Sequence, residues 1–397
     1  MSKLELVIVG GGLASARAVK SFREAGGAGR IALVSRDSSV PYHRPPLSKR
    51  YLRGETDREG TLVEPESFYA DQDVELWLER TAERVLPGER RVELDGGESL
   101  TYERLLLAPG AWPRMLDVPG ADLDGVFTLR TLEDSTRIRE AAGSAQRAVA
   151  VGGSFIGMET AASLRVLGLQ VTLVELAETL FPILDAPELS HGLADLYRER
   201  GVELVLGDSV AAFRGEGRLE AVETKAGTSI PADLAVVGIG VVPQTAFLDG
   251  SGIELDDGIV VDERFRTSAP SVWAAGDAAR FHDPVFGRSR RIEHWSNANY
   301  QGTEVGKALA GEDARYDSVS TFFTEVFGFT IKVFGDTSEA DRRTFGGSLA
   351  EGKVLGLYFE QEGLVGAVLS GQDEETEERL KSVIRDRGRW TESASAD

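Results

Sequence analysis

Apolar residues along this 397-residue chain come in short runs separated by glycine, proline and charge. Near the start, "LELVIVGGGLASARAVKSFREAG" is an apolar run of strand length, then a glycine turn, then a helical pattern. "RIALVS" follows as a second buried strand. The same order of strand, turn, helix and strand returns at "RAVAVGGSFIGMETAASLRVLGLQVTLVELAE". "YERLLLAPGAWPR" and "TSAPSVWAAGDAARF" predict two further strands that run into turns. Beyond the acidic "GEDARYD" the pattern changes. "TIKVFG", "KVLGLYFE" and "GLVGAVLS" read as short strands and "EETEERLKSVIRDRG" as an amphipathic helix, while the tail "TESASAD" is small, polar and predicted to stay disordered.

The predicted fold class is α/β, with two Rossmann-like dinucleotide-binding domains plus a small C-terminal α+β domain. Proline and glycine punctuation at "PGAWPRMLDVPG" and "VVPQTAFLDGSG" inserts the second domain into the first. The expected boundaries are 1–112 with 248–315 for the first domain, 113–247 for the second and 316–397 for the third.

Gly10 and Gly12 fill the first two places of a GxGxxG motif, where they permit a tight turn and bring backbone N–H groups close to a pyrophosphate at a helix N-terminus. Ser15 stands at the third place and is small enough for close helix–strand packing. Asp37, just past the second strand, is a candidate acceptor for ribose hydroxyls. In the second copy Gly152, Ser154 and Gly157 hold the motif places and Glu175 ends the following strand. Two such units imply two dinucleotides, the alternative being a duplicated fold with one unused site. A carboxylate at Glu175 suits both hydroxyls of an adenosine ribose, whereas a 2′-phosphate there meets a like charge, a repulsion of about 4 kcal/mol at about 4 Å with an effective dielectric near 20. Leu176, Ala177 and Glu178 bring no cation to relieve it, so NADH is expected over NADPH.

The loop "PYHRPPLSK" sets three prolines around Arg44 and closes on Lys49. Proline fixes φ and restricts the residue before it, which predicts an extended, preordered Tyr42 to Leu47. Two cations on so stiff a loop suit an anion or a redox-active ring that gains negative charge; a rigid surface connection is the alternative. Gly276 and Asp277 lie at a turn where an aspartate can bind a polyol hydroxyl.

Composition narrows the chemistry. The chain has no cysteine, which removes disulfide relays, thiolate nucleophiles, sulfenate chemistry and Cys-ligated clusters. Its four histidines, His43, His191, His282 and His294, show no metal-ligand spacing, so no metal site is expected. A net charge of −21 repels nucleic acid and acidic membranes. The N-terminal sequence lacks a signal-like pattern and no apolar run reaches membrane-spanning length, so the expectation is a soluble, cytoplasmic protein.

With these motifs in order, the sequence resembles the FAD-dependent pyridine-nucleotide reductases, in the branch of putidaredoxin, rubredoxin and oxygenase-coupled ferredoxin reductases, monodehydroascorbate reductase and apoptosis-inducing factor. "PYHRPPLSK" is the most specific match. "VIVGGGLASARAV", "VFTLRTLED", "VGGSFIGMETA", "AVVGIGVVPQ", "SVWAAGDAARF" and "IEHWSNANYQG" extend the similarity along most of the chain. The resemblance assigns FAD to the first domain and NADH to the second. It implies FAD contacts for Gly10, Gly12, Ser15, Asp37, Arg44, Lys49, Arg130, Gly276, Asp277, Trp295 and Phe323. NADH contacts are implied for Gly152, Ser154, Gly157, Glu159, Glu175 and Gly240. Lys49 paired with Glu159 is the implied catalytic pair beside the flavin. Two departures stand out: Pro109 replaces the threonine of an "ATG" turn, and "FFTEV" occupies the place of "FWSDQ", so that Phe323 stands for a tryptophan and Thr324-Glu325 for Ser-Asp.

The function implied is NADH-dependent reduction of FAD and transfer of electrons to a small carrier protein of ferredoxin or rubredoxin type, serving an oxygenase. An NADH:small-molecule oxidoreductase acting on a quinone or a monodehydroascorbate-like radical is the alternative, and a redox sensor is a third. The expected assembly is a monomer or homodimer. Basic groups at Arg288, Arg290 and Arg291, at Arg342 and Arg343, and at Lys381, Arg385 and Arg387 are candidate docking positions for an acidic carrier.

Overall fold

A computed structural model describes residues 4–390; the "TESASAD" tail lies outside the described residues. Among these the helices are α1 (Leu13–Glu24), α2 (Glu66–Asp71), α3 (Leu132–Ala142), α4 (Phe155–Val166), α5 (Pro187–Glu199), α6 (Trp295–Ala310) and α7 (Glu374–Arg385). The chain divides into two compact units. Unit 1 comprises the chain up to Arg44, Arg58–Trp112 and Val241–Ser318; unit 2 comprises Pro45–Asp57, Pro113–Gly240 and the chain from Val319.

Unit 1 is built on a parallel sheet in the order Val74–Trp77, Ile31–Val34, Leu4–Val9, Ser99–Leu107, with Val272–Ala274 also paired to Ser99–Leu107. Successive residues of its central strands, among them Leu6, Val7, Ile8, Ala32 and Leu33, are fully buried, so both faces of the sheet are covered. That explains why these strands read as unbroken apolar runs. Helix α6 lies against α1 through two glycines on one face, Gly302 and Gly306. A Cβ on Gly302 would meet the Ala14 carbonyl oxygen at 2.5 Å, and one on Gly306 the Ser21 hydroxyl at 2.0 Å. The Ser21 hydroxyl itself donates to the Thr303 carbonyl, 2.7 Å, which ties the two helices where their backbones come closest.

Unit 2 holds a second parallel sheet in the order Val202–Leu206, Gln170–Glu175, Arg147–Val151, Leu234–Val237, Val126–Thr128. It also holds a five-stranded antiparallel sheet, Thr321–Val326, Phe329–Gly335, Gly363–Ser370, Lys353–Glu360 and Arg342–Ser348, with α7 packed on it. The strand Arg342–Ser348 has no apolar alternation and was not anticipated from the pattern. It is an edge strand whose register comes from pairing with Lys353–Glu360. The C-terminal sheet shares its compact unit with the second nucleotide fold: the Tyr358 hydroxyl donates to the Leu184 carbonyl, 2.6 Å, and Arg343 pairs with Asp185.

The proline loop also belongs to unit 2 from Pro45 onward. The extended run expected from Tyr42 to Leu47 is cut short, because Pro45–Ser48 forms a turn of 3₁₀ helix. Proline's fixed φ lies in the helical range as well as in the extended one. The Pro46 carbonyl takes two amides, from Lys49 at 3.0 Å and Tyr51 at 2.9 Å, and these decide the outcome. Side chains of two helices then hold the turn: Ser135 Oγ donates to the Leu47 carbonyl, 2.7 Å, and Ser163 Oγ to the Ser48 carbonyl, 2.6 Å.

The α1–α6 crossing yields a stability prediction. Gly302→Val and Gly306→Ala should each destabilise the protein by about 1–3 kcal/mol through overpacking, read from denaturant unfolding; unchanged midpoints would contradict the close crossing.

Candidate active site

Each unit carries a glycine cradle at the start of a helix. In unit 1 Gly10 has φ of 124° and bonds the Val34 carbonyl at 2.8 Å; a Cβ there would stand 1.9 Å from the Ala108 carbonyl oxygen. α1 then begins with Gly12 at its N-cap, with no side-chain cap and no acid in its first turn. By contrast α3 is closed by a capping box from Thr131 and Asp134, and α7 by Asp373. The first amides of α1 therefore meet no anionic side chain of their own helix, which suits a phosphate. Ser15 is fully buried on the first turn, and its hydroxyl has no hydrogen-bond partner among the described residues. Against this helix start lies the Gly276 turn, where a Cβ on Gly276 would be 3.3 Å from Ala14 Cβ. The Gly276 amide donates to Gln301 Oε1, 2.8 Å, so α6 orients the turn that carries Asp277.

The residue that follows the second strand and touches Gly11 is Ser35; its Oγ would be 2.1 Å from a Gly11 Cβ. Asp37 lies two residues further on, with its carboxylate bonded to the Tyr42 hydroxyl and so engaged in holding the proline loop. Arg36 stacks on Trp112, 3.6 Å from the ring centroid.

In unit 2 the corresponding parts are Gly152, Gly153, Ser154 and Gly157. Gly152 has φ of 107° and a Cβ on it would lie 2.3 Å from the Gly238 carbonyl oxygen; on Gly157 it would lie 1.8 Å from that of Gly152. α4 starts with Ser154 at its N-cap, again with no side-chain cap and no acid in the first turn. Glu175 does end its strand here: one carboxylate oxygen accepts from the Gly153 amide and the other from the Ala177 amide, 2.7 Å. These bonds fix an anion beside the cradle. Phe181 donates its amide to the Gly153 carbonyl, 2.7 Å, and stacks edge-on against Phe155 at 4.9 Å. Gly240, with φ of 100°, accepts from the Arg114 amide, 2.9 Å.

Unit 2 also buries an ion pair. Lys49 Nζ lies 2.7 Å from Glu159 Oε2, with both side chains under a tenth exposed. Ser48 Oγ donates to the same carboxylate oxygen and Thr324 Oγ1 to the other, Oε1, at 2.8 Å. Glu159 thus has both oxygens occupied, as a buried anion requires. The ammonium is less fully served: of three N–H bonds, one makes a short contact, to Glu159, and the nearest other acceptor described is Ser48 Oγ at 3.4 Å. A cation held this way can offer a hydrogen bond and a positive charge to a group placed beside it.

The remaining predicted residues fall as follows. Gly10, Gly12, Ser15, Asp37, Arg44, Gly276, Asp277 and Trp295 are in unit 1, whereas Lys49, Arg130 and Phe323 are in unit 2 with the second cradle and Glu159. Arg44 approaches Gly12, with Nη1 3.2 Å from the position of a Cβ. Arg130 immediately precedes the Thr131 cap of α3, its amide bonded to Asp134 Oδ2 at 3.0 Å. Trp295 opens α6, and its indole N–H donates to His43 Nδ1, 2.9 Å. Phe323 is 37% exposed, while its neighbour Phe322 stacks against Phe155 at 5.1 Å. Sequence reasoning missed Ser48, Ser35 and Gln301, and noted Thr324 only as a departure. Hydroxyl and amide side chains leave no periodic signal, and only the fold brings them to their partners.

A family model described as "Pyridine nucleotide-disulphide oxidoreductase" matches residues 4–302. The chain belongs to this family. It is 36% identical over 365 residues to a 5,5'-dehydrodivanillate O-demethylase ferredoxin reductase subunit of Sphingobium, spanning 91% of this chain and 88% of that protein. It is 34% identical over 361 residues to putidaredoxin reductase CamA of Pseudomonas putida, spanning 89% and 86%. A crystal structure of a covalent putidaredoxin reductase–putidaredoxin complex matches with a TM-score of 0.93 at 32% identity, covering 98% of this chain and 94% of that one.

The expected α/β fold is the fold of these reductases, and the chain is a flavoprotein oxidoreductase whose cofactors are FAD and NAD(H). The residues present fit both. Two cradles crossed so tightly that a Cβ would strike backbone, two helix starts without an acid, a buried Ser15 hydroxyl awaiting a partner and a buried ammonium with donors to spare are what two dinucleotides and a charge-accepting ring require. The disulfide of the family's description is chemically closed to this pyridine nucleotide oxidoreductase, which has no cysteine.

His294, the N-cap of α6, is pushed down to about 4 by burial, with Asp277 opposing the shift and Arg290 adding to it. It is therefore neutral in the folded protein near pH 7. Because its folded value lies below that of an unfolded histidine near 6.5, its contribution to stability is full above about pH 6.5 and is lost as pH falls towards about 4. Unfolding of the apoprotein across pH 7.5 to 4 should show this as a loss on the order of 2 kcal/mol that His294→Gln removes. An identical pH profile in the variant would contradict it.

Proposed function

We propose that this flavoprotein is an NADH-dependent reductase of a small one-electron carrier protein of ferredoxin or rubredoxin type, serving an oxygenase. The carrying observation is the combination of two nucleotide cradles and a buried, incompletely bonded Lys49 ammonium in a chain without cysteine. With no thiol to receive them, electrons leave the flavin directly for an external acceptor. The relatives' names supply the acceptor class: a ferredoxin reductase subunit of an O-demethylase, a putidaredoxin reductase and a rubredoxin-NAD(+) reductase.

When bound, FAD would supply the change from a two-electron donor to one-electron acceptors, so that one NADH and two oxidised carriers would give NAD⁺, a proton and two reduced carriers. The chain's own residues have distinct parts in this. Gly10, Gly12 and Ser15 hold the FAD pyrophosphate, with Arg44, Arg130, Asp37, Gly276, Asp277, Trp295 and Phe323 as its further contacts. Gly152, Ser154, Gly157 and Gly240 receive NADH and Glu175 takes its adenosine ribose. Lys49, oriented by Glu159, supplies the positive charge at the flavin's reacting edge.

Candidate docking cations are already engaged within the chain. Arg291 is spent on Asp257, Glu293 and the Asp277 carbonyl. Arg343 pairs with Asp185, Lys381 with Glu378 and Arg387 with Glu360. A cytoplasmic location and a monomeric or homodimeric state complete the proposal; no helix among the described residues is long and apolar enough to cross a membrane.

The test is anaerobic double mixing: FAD-loaded protein is first bleached with NADH, then mixed with a panel of ferredoxins, a rubredoxin and a quinone. Rapid reoxidation by a carrier protein is expected, and reoxidation by quinone alone would overturn the acceptor assignment. In steady state, kcat/KM should favour NADH over NADPH by on the order of 100-fold, because a 2′-phosphate would meet the fixed Glu175 carboxylate. A preference for NADPH would remove Glu175 from the ribose site.

A further inference from the structure

Glu159 is gripped from two separate stretches of chain. The proline loop takes Oε2 through Lys49 and Ser48, and the strand Thr321–Val326 takes Oε1 through Thr324. We infer that Thr324 is a positioning residue for the Lys49–Glu159 pair, setting where the Lys49 ammonium stands and hence how well the site stabilises charge on the flavin. The inference rests on the flavin reading above.

Geometry carries it first. Phe322 and Thr324 are two apart on a strand and so point to one face. Their partners on α4, Phe155 and Glu159, are four apart and so share one helical face. Two strand steps cover about 6.8 Å and four helical steps about 6 Å, so strand and helix run in matched register through both contacts. The ring contact is apolar and fixes the register; the hydroxyl is the contact that acts on the carboxylate.

Bonding supplies the second argument. Thr324 is fully buried, and its hydroxyl spends its one proton on Glu159. Without that bond the carboxylate is held on one oxygen only, by the same loop that carries Lys49. It can then rotate about its terminal torsion, which is soft for an sp²-ended side chain, and take the ammonium with it. Thr324 anchors the pair to a sheet outside that loop, which makes the ammonium's position a property of unit 2 as a whole.

The two-electron midpoint potential of bound FAD, measured by equilibration with reference dyes in the holoprotein, reads this directly. Global destabilisation alone does not move it. Thr324→Val keeps the shape and removes the donor, Thr324→Ala removes both, and Thr324→Ser restores the donor. The expected result is about a tenfold weaker preference for reduced flavin in the Val and Ala variants, a potential about 30 mV more negative, with Ser at the wild-type value. Single-turnover reduction by NADH should slow by a similar factor with the Kd for NADH unchanged. Wild-type potentials in both hydroxyl-free variants, or the same shift in Thr324→Ser, would overturn the inference while leaving the flavin reading intact. A wild-type protein that binds no FAD would overturn both.

Discussion

The buried pair of Lys49 and Glu159 is the constraint to which much of unit 2 answers. Burying two opposite charges is costly unless the geometry is close and the remaining polar atoms are bonded, and a buried charge stripped of its partner costs about 3–5 kcal/mol. Here the pair is at 2.7 Å and both carboxylate oxygens are occupied. Meeting that requirement brings together the 3₁₀ turn of the proline loop, one face of α4 and one face of a C-terminal strand. Of the two cations of the loop "PYHRPPLSK", Arg44 belongs to unit 1 and stands against Gly12, and Lys49 belongs to unit 2 and stands against Glu159.

The nucleotide cradles follow a different logic, one of removed atoms. Gly10, Gly152 and Gly157 stand where backbone passes so close that a Cβ has no room, and neither helix start carries a capping side chain or an acid. The amides are left for an anion from outside. Helices α3 and α7, by contrast, have their first amides taken by side-chain caps.

Much of this was legible in the sequence, because strand, glycine turn, helix and acid in fixed order are consequences of local geometry. The resemblance carried by "PYHRPPLSK" and "VGGSFIGMETA" pointed to the family to which the chain belongs. What spacing could not reveal were contacts made across the fold. Asp37 follows the second strand, yet the residue against Gly11 is Ser35, which succeeds the Val9–Val34 pair just as Glu175 succeeds the Val151–Val174 pair. Thr324 stood out in the sequence only as a departure from the serine that the resemblance implies. The structure places its hydroxyl on Glu159, and threonine supplies the same donor as serine. The edge strand Arg342–Ser348 is exposed and glycine-bearing, so no pattern marked it before its pairing was known.

The central claim is that a fixed ammonium at Lys49 stabilises the charge that FAD takes up from NADH. Single-turnover reduction of the FAD-loaded Lys49→Met protein by NADH, followed at the flavin absorbance under anaerobic conditions, tests it most directly. The account predicts a rate lower by on the order of 100-fold with flavin content and NADH affinity retained. Reduction at the wild-type rate would contradict it.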